Sequence, residues 1–248
     1  MRDECPDTSK AADVCAVVPC FNAGARLRPV ISGILQQLEH ALIVDDGSTD
    51  GCIAPEQESG VRVIHFSGNR GKGHALIAGF SAALQDPRFG AAIVLDADGQ
   101  HDPGEIPKLI AAWRATQGDL IMGVRQFDSG RVPLRSRFGN ELTRRVTGTL
   151  LGIRLRDTQC GYRLLSRRFM EHVVAQVAGG RYETEMEILI HAARLPQFHL
   201  EPVPIKTLYE AGNASSHFHK VRDSFLIYRR LLAASWRARK AGRPDAAG

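Results

Sequence analysis

A short apolar run that ends abruptly in acids constrains this chain more than any other stretch of its sequence. Residues 91–95 are continuously apolar, as in a strand buried on both faces of a parallel sheet. Asp96, Asp98 and Gln100 follow, and two such close carboxylates need a cation or polar partner because burying unpaired charge is costly. Ligands bind at the carboxyl ends of strands in open α/β sheets, and carboxylate oxygens suit Mg²⁺ or Mn²⁺. A metal site is therefore one interpretation, and an ordinary turn before a helix is the other.

A second strand shows the same change from apolar to acidic residues. Residues 41–44 are apolar and run directly into Asp45 and the sequence DGSTDG. Ser48 or Asp50 is expected to cap a following helix, but capping does not account for Asp45, which adjoins the strand. If both strands belong to one parallel sheet, their acids meet at the same edge of that sheet.

Apolar strand runs alternate with helical patterns along much of the chain. Strands are predicted at residues 14–18, 41–44, 61–66, 91–95, 120–124 and 201–205, and helices at 25–39, about 103–116 and 182–193. The last strand contains two prolines, which places it at a sheet edge. Short connections in a β–α order predict an α/β fold with a Rossmann-like, mostly parallel central sheet flanked by helices.

Composition restricts the class of protein. With 248 residues, 44% of them hydrophobic and 24% charged, the chain suits a single globular domain. Its apolar runs fall short of the roughly 18 residues of a membrane span, and no secretion signal precedes the first strand. Five cysteines without a CxxC pair indicate reduced thiols and a cytoplasmic protein. We predict one domain at residues 13–240 between a disordered N-terminus (1–12) and a disordered tail (241–248).

Positive charge is concentrated in the middle of the chain. The segment from Arg125 to Arg168 holds eleven arginines and three acids, a local charge of +8 in a chain whose net charge is +5. Such a patch indicates an anionic partner, namely a phosphate, a nucleic acid or a membrane surface. Residues 132–151 mix arginines with apolar residues at helical spacing, as in a segment on a bilayer or an exposed helix packed on the domain. A basic amphipathic helix is also predicted at the C-terminal end, at residues 221–240.

A glycine-rich stretch precedes another predicted helix. Gly68, Gly71 and Gly73 could turn backbone amides toward a phosphate, and Lys72 lies among them. The stretch is not a Walker A loop, because Gly73 follows the lysine, and it is not a GxGxxG motif. By itself it indicates an anion without identifying one.

Five segments of the chain occur in the order and at the spacing found in a known enzyme family. They are VVPCFN (17–22), IVDDGSTDG (43–51), GNRGKGHAL (68–76), VLDADGQHDP (94–103) and DTQCGYRLL (157–165). Over roughly residues 13–235 the chain resembles the inverting family 2 glycosyltransferases, and most of all the dolichyl- and polyprenyl-phosphate mannose and glucose synthases. The resemblance implies a GT-A fold, a GDP- or UDP-linked hexose donor, Mg²⁺ or Mn²⁺, and polyprenyl phosphate or another lipid acceptor. It also implies a location at the cytoplasmic face of the membrane, without a nucleic-acid partner.

The resemblance implies a donor site at the strand ends. Residues that match the family's nucleotide-sugar pocket are Pro19, Phe21, Asn22 and Asp45, to which we add Lys72 as a candidate donor contact. The DxDxQ triplet of the family matches Asp96, Asp98 and Gln100, in which metal and diphosphate are held. Asp98 is the first choice for the direct metal ligand and Asp96 for the sugar hydroxyls, the ribose or the metal. Both are candidate catalytic residues, because a metal that bridges the diphosphate oxygens stabilises the leaving group.

The acceptor determines which further residues the reaction needs. In the polyprenyl-phosphate branch, Arg125 matches an arginine that receives the acceptor phosphate, and Arg135 or Arg137 matches the basic segment after it (126–156). Arg163 belongs to the family's substrate-pocket turn, GYR. An acceptor phosphate arrives ionised, so arginines that position it contribute more than a base would.

A hydroxyl acceptor would instead require a general base. The predicted helix 182–193 carries the two candidates, Glu185 and Glu187, although a solvated helix would show the same pattern. His217 and His219 could contact diphosphate or metal. Two other classes stay open: a catalytically inactive GT-A scaffold that binds a membrane or other anion, and a nucleotidyltransferase. The second is disfavoured because VPCFNAG, after the first strand, lacks the glycine-rich loop of such enzymes.

Overall fold

A computed structural model describes residues 10–53, 59–125, 157, 160–181 and 183–206 of the chain. Several predicted features lie outside these residues: the basic segment 126–156 with Arg135 and Arg137, the amphipathic helix 221–240, His217, His219 and the tail 241–248. The first strand begins at Ala11, two residues before the predicted start of the domain.

The described residues form a seven-stranded sheet and five α-helices. The strands are β1 (Ala11–Cys20), β2 (Leu38–Asp45), β3 (Val61–His65), β4 (Ala91–Val94), β5 (Leu120–Arg125), β6 (Arg163–Ser166) and β7 (Leu200–Ile205). The helices are α1 (Leu27–Gln37), α2 (Lys72–Leu84), α3 (Ile106–Thr116), α4 (Arg167–Gln176) and α5 (Glu183–Arg194).

The sheet is mostly parallel, which confirms the predicted fold class. Its strand order is β3-β2-β1-β4-β6-β5-β7, and only β6 runs antiparallel to its neighbours, β4 and β5. Neither β6 nor α4 was predicted from the sequence, in which Arg163, the first residue of β6, was placed in a turn. Ser166 starts α4, where its hydroxyl accepts a hydrogen bond from the Phe169 amide at 3.2 Å.

The central strands place both acid clusters at one edge. β1 lies between β2 and β4, and all three run parallel to one another. Cys20 pairs with Asp45 in one register, and Val17 pairs with Val94 in the other. The acids that follow β2 and β4 therefore flank the carboxyl end of β1, as the sequence predicted.

The helices pack on the sheet through sequence-encoded apolar faces. In α1 the buried residues Leu27, Val30, Ile31 and Ile34 follow the spacing of one helical face. In α2 a side-chain carbon at Gly79 would lie 2.4 Å from Val17 Cγ1, so glycine lets this helix approach β1 closely.

The proline-containing strand β7 lies at the edge of the sheet, as expected from its two missing amide donors. Among the described strands its sheet neighbour is β5, with which it pairs in parallel from Leu120 opposite Leu200 to Arg125 opposite Ile205. None of the helices in the described part of the chain is long and apolar enough to span a bilayer.

Candidate active site

Hydrogen bonds join the loops that follow β1 and β2. The Asn22 amide donates to Ser48 Oγ at 3.0 Å, and the Thr49 amide donates to Asn22 Oδ1 at 2.8 Å. The Gly24 amide donates to Asp50 Oδ2 at 2.8 Å. Ser48 and Asp50 therefore connect two loops instead of providing the helix cap predicted for one of them. The two loops form one unit at the end of β1.

The predicted nucleoside-binding residues lie together in this unit. Asp45 is buried at the end of β2, where its Oδ1 accepts a hydrogen bond from the Ser48 amide at 2.9 Å. Its Oδ2 lies 3.1 Å from His65 Nδ1. Pro19 pairs with the residue that precedes Asp45, and Phe21 follows half-buried after β1. The structure therefore brings Pro19, Phe21, Asn22 and Asp45 to one place, as the donor-site prediction requires.

Asp46 organises the glycine-rich stretch, a role that sequence reasoning did not assign. Its carboxylate is buried and accepts from two consecutive amides, Arg70 N at 2.6 Å and Gly71 N at 2.8 Å. The chain passes so closely that a side-chain carbon at Gly47 would lie 2.6 Å from the backbone of Gly68. At least the Gly71 amide, predicted as a candidate phosphate contact, is therefore committed to an internal carboxylate.

The glycines of this stretch allow close packing against the start of α5. Gly71 has a φ of +107°, a conformation that favours glycine. A side-chain carbon at Gly73 would lie 2.1 Å from Thr184 Oγ1. The predicted phosphate contact is corrected for Gly71, whose amide donates to Asp46, and it stays a prediction for Gly68 and Gly73. The residue between them, Lys72, is directed into the site.

Lys72 bridges the acid cluster of β4 and the helix α5. Its Nζ lies 2.6 Å from Asp96 Oδ1 and 3.2 Å from each carboxylate oxygen of Glu185. Burial alone would lower the pKa of Lys72, but the two carboxylates raise it above its ordinary value. Burial opposes ionisation of Asp96, yet Lys72 holds the pKa of that carboxyl below its usual range. Three predicted site residues that are distant in sequence thus form one charged group.

Arg163 lies inside the protein, where it is 3% exposed. Its Nε donates to Cys160 O at 2.9 Å, and another guanidinium nitrogen donates to Glu185 O at 2.6 Å. The turn that it holds includes Gly161, where a side-chain carbon would lie 2.9 Å from Asp96 Oδ2 and 3.1 Å from Lys72 Nζ. These contacts hold the turn beside the charged group, and the acceptor-binding role of Arg163 stays a prediction.

His101, which was not among the predicted site residues, accepts a hydrogen bond from the backbone of Asp96. The Asp96 amide donates to His101 Nδ1 at 3.1 Å, so that nitrogen is an acceptor and the ring proton lies on Nε2. Burial lowers the pKa of His101, which favours this neutral form. The ring stacks on Tyr162 with centroids 5.0 Å apart, and Tyr162 Oη donates to Asp102 O. In the sequence, the position of His101 shortly after the DxD motif was the signal that could have indicated this supporting role.

Asp98 is the carboxylate that best fits a divalent cation. It is partly exposed, and its Oδ1 accepts a hydrogen bond from the Gln100 amide at 3.0 Å. Asp96 is already paired with Lys72, and no group of three or more His, Cys, Asp and Glu side chains arranged for a metal occurs among the residues described. Mg²⁺ commonly binds through one or two carboxylates together with water and substrate phosphates. The donor set around Asp98 therefore suits a metal that a diphosphate helps to hold.

The remaining predicted residues lie farther along the sheet edge and on α5. Arg125, at the end of β5, donates from Nε and a terminal nitrogen to the two carboxylate oxygens of Asp157, at 2.5 and 3.1 Å. Asp157 is fully buried, so this is a bidentate internal ion pair. Glu187 is half-buried on α5, two residues beyond Glu185 and so on a different face of the helix.

Known structures define the class of this fold. The chain superposes on the crystal structure of glucosyl-3-phosphoglycerate synthase from Mycobacterium tuberculosis in complex with Mn²⁺, uridine diphosphate and phosphoglyceric acid. The TM-score is 0.67 with 20% sequence identity over 95% of this chain and 80% of that chain. The fold is that of the GT-A glycosyltransferases.

The sequence identifies the family. Residues 15–174 match Glycosyl transferase family 2, and the chain belongs to that family of enzymes. It is 29% identical to UDP-N-acetylglucosamine–dolichyl-phosphate N-acetylglucosaminyltransferase from Methanococcus voltae, over 87% of this chain and 93% of that protein. It is 27% identical to undecaprenyl-phosphate mannosyltransferase from Micrococcus luteus, over 92% of this chain and 98% of that protein. The resemblance predicted from the five motifs is confirmed.

Proposed function

We propose that this glycosyltransferase transfers a hexose from a GDP- or UDP-linked donor to polyprenyl phosphate, with Mg²⁺ or Mn²⁺ as cofactor. The names of its relatives support a lipid phosphate acceptor, since one acts on dolichyl phosphate and another on undecaprenyl phosphate. A peripheral position on the cytoplasmic face of the membrane fits the amphipathic patterns at residues 132–151 and 221–240.

The donor would bind across the two acid clusters. The joined loops around Asn22 and Asp45 are suited to the nucleoside, because they offer polar groups beside the end of β1. Asp98 and Gln100 would hold the metal, which would act as a Lewis acid on the departing diphosphate. Asp96, kept ionised by Lys72, is suited to accept hydrogen bonds from sugar hydroxyls.

One observation favours a phosphate over a hydroxyl acceptor. Glu185, a predicted base, has both carboxylate oxygens 3.2 Å from Lys72 Nζ. The two oxygens through which Glu185 would accept a proton are therefore already in contact with the ammonium group of Lys72. A phosphate acceptor needs no base, since it arrives ionised. The geometry therefore supports the reaction that requires no proton transfer from the acceptor.

Positive charge for the acceptor would come mainly from the basic segment. Arg125 is paired with Asp157, so its charge is balanced within the protein. Arg135 and Arg137 lie outside the described residues and remain the predicted acceptor ligands. Arg125 keeps that predicted role only if its guanidinium shares its donors between Asp157 and a phosphate.

Substituting the two kinds of candidate residue tests the acceptor class. GDP- and UDP-sugars would first be screened for Mn²⁺-dependent binding, and polyprenyl phosphate would be offered to any donor that binds. Arg137→Ala should lower kcat/KM for the acceptor about ten- to a hundredfold, the effect of losing a contact to an ionised group. Donor affinity should stay constant, and Arg62→Ala, which removes an exposed arginine of β3, should have no effect.

Substitution of the two glutamates tests the alternative, a hydroxyl acceptor that needs a general base. Glu187→Gln should be mild, and Glu185→Gln should lose less than the 10²–10⁴-fold in rate that removal of a general base costs. A loss of rate in that range from either glutamate substitution, together with no effect of Arg137→Ala, would contradict the phosphate acceptor. It would favour a hydroxyl acceptor such as a glycolipid or polysaccharide precursor.

A further inference from the structure

Two cysteines meet beneath the loops that we assign to the nucleoside. Cys20 is the last residue of β1, and Cys52 follows the acidic loop of β2. Their sulfur atoms lie 3.7 Å apart, although the residues are separated by 32 positions in sequence. Of the other described cysteines, Cys15 and Cys160 are each buried at separate places in the core. The pair therefore differs from the rest in having a second thiol within contact.

We propose that Cys20 and Cys52 are a site of oxidative modification, at which a peroxide converts the two thiols into a disulfide that weakens donor binding. The effect on the donor rests on the proposed function, whereas formation of the bond does not. The two sulfur atoms would have to approach from 3.7 Å to about 2.05 Å, which is a small displacement for a loop residue such as Cys52.

Burial distinguishes the two thiols and assigns their roles. Cys52 is partly exposed, so a peroxide can reach it. Cys20 is 1% exposed, and burial raises the pKa of its thiol well above the ordinary value. Cys52 is therefore the thiol that is oxidised first, and Cys20 is the thiol that resolves the product.

The chemistry is balanced in two steps. The Cys52 sulfur attacks hydrogen peroxide, the O–O bond breaks, and the products are a Cys52 sulfenic acid and water. The Cys20 sulfur then attacks the Cys52 sulfur, the S–O bond breaks, and the hydroxyl group leaves as water with the Cys20 proton. Two thiols are oxidised, one peroxide is reduced to two waters, and a thiol reductant reverses the reaction.

The disulfide would strain the hydrogen bonds that join the two loops. The Cys52 amide donates to Asp50 Oδ1 at 3.0 Å, and Asp50 Oδ2 accepts from the Gly24 amide. On the other side, Cys20 is followed directly by Phe21 and Asn22 of the predicted pocket. Drawing Cys52 toward β1 therefore acts on both walls of that pocket. Nucleotide affinity should fall about tenfold, the effect of losing one hydrogen bond.

Peptide mapping tests the bond directly. The full chain would be treated with hydrogen peroxide, its free thiols blocked with iodoacetamide, and the protein digested with trypsin without reductant. The expected product links the peptides 11–26 and 27–62, and fragmentation assigns the bond to Cys20 and not to Cys15. Absence of this product at peroxide doses that convert Cys52 to sulfinic acid would overturn the proposal.

Binding of UDP and GDP, measured by calorimetry, tests the consequence. Affinity should fall on oxidation and recover on reduction in the wild type and in Cys15→Ala, the matched buried-thiol control. Cys52→Ser should bind as the reduced wild type does, before and after peroxide. If the disulfide-linked protein binds the nucleotides as tightly as the reduced protein does, the proposed effect of the disulfide on donor binding is wrong. If the reduced protein binds neither nucleotide but the linked peptide forms, the modification site is supported and the proposed function fails.

Discussion

The two acid clusters look alike in sequence, but the structure partners them differently. At the end of β2, the carboxylates accept hydrogen bonds mainly from backbone amides: Asp46 from Arg70 and Gly71, and Asp45 from Ser48. At the end of β4, Asp96 is paired with the ammonium group of Lys72. The first cluster fixes loops, whereas the second balances charge with a side chain from another helix.

This difference separates carboxylates that stabilise loops from carboxylates that can take part in the reaction. A carboxylate that accepts backbone amides gains its stabilisation from the fold itself, so it holds a loop whether or not a ligand is present. A carboxylate paired with a side-chain cation can instead exchange that partner for a sugar hydroxyl or a metal. Asp98 accepts a hydrogen bond from the Gln100 amide and is partly exposed, so of these acids it is the most open to a new ligand. The comparison therefore predicts different effects for substitutions that look equivalent in sequence.

Asp98→Asn should have the largest effect on activity. Loss of the candidate metal ligand removes a Lewis acid worth several kcal/mol, so transfer should fall by about 10³-fold or more. Mn²⁺-dependent donor binding, measured by calorimetry, should weaken sharply, while the thermal melt stays as in the wild type. Unchanged metal dependence in this variant would contradict the assignment of Asp98.

Lys72→Met should have the largest effect on stability, because it leaves Asp96 and Glu185 without their shared cation. Removing one partner of a largely buried ion pair should lower the free energy of unfolding by about 3 kcal/mol at neutral pH. Urea denaturation would measure this loss, with Lys108→Met, which removes an exposed lysine from α3, as the control.

The pH dependence of the Lys72→Met deficit tests its electrostatic origin. In the wild type the lowered pKa of Asp96 gives stability that is present above the unfolded pKa of 3.8 and is lost as the pH falls through the folded value. In the variant, burial without Lys72 should raise that pKa, so protonation relieves the unpaired charge. The deficit should therefore shrink between pH 7 and about pH 4. A deficit that does not change with pH would indicate lost packing instead.

Asp46→Ala should lower the free energy of unfolding by about 2 kcal/mol, because the backbone amides of Arg70 and Gly71 lose a charged acceptor. Asp46→Asn, which retains one acceptor oxygen, should lose about half as much. Chemical denaturation measures both variants. Hydrogen exchange at Arg70 and Gly71 should accelerate in Asp46→Ala, and unchanged protection there would remove Asp46 from its scaffold role.

Asp45→Ala should have the smallest effect, a loss of about tenfold in affinity for the free nucleotide, as expected for one hydrogen bond to a charged group. The loss should appear with and without metal. Asp98→Ala should weaken nucleotide binding only when metal is present. Calorimetry with GDP and UDP separates the two, and identical behaviour would place Asp45 in another part of the site.

Much of the fold followed from local pattern. The apolar runs located β1 to β5 within a few residues, and the prolines placed β7 at an edge. β6 was missed because Arg163 to Ser166 is short and begins with a charged residue, whose burial depends on contacts with Cys160 and Glu185. A strand of this kind is specified by its neighbours β4 and β5, and no local periodicity reveals it.

The sequence by itself determined that acids follow buried strands, and that these acids meet at one edge of a parallel sheet. This prediction was possible because local apolar runs indicate which strands are buried, and short connections indicate that the strands are parallel. Only the tertiary structure decided the partners of each acid. Lys72 and Glu185 are separated by 113 positions, yet they share one ion-paired group with Asp96. Such pairing depends on how α2 and α5 pack together, and electrostatic energy depends on distance and burial, which a motif does not contain.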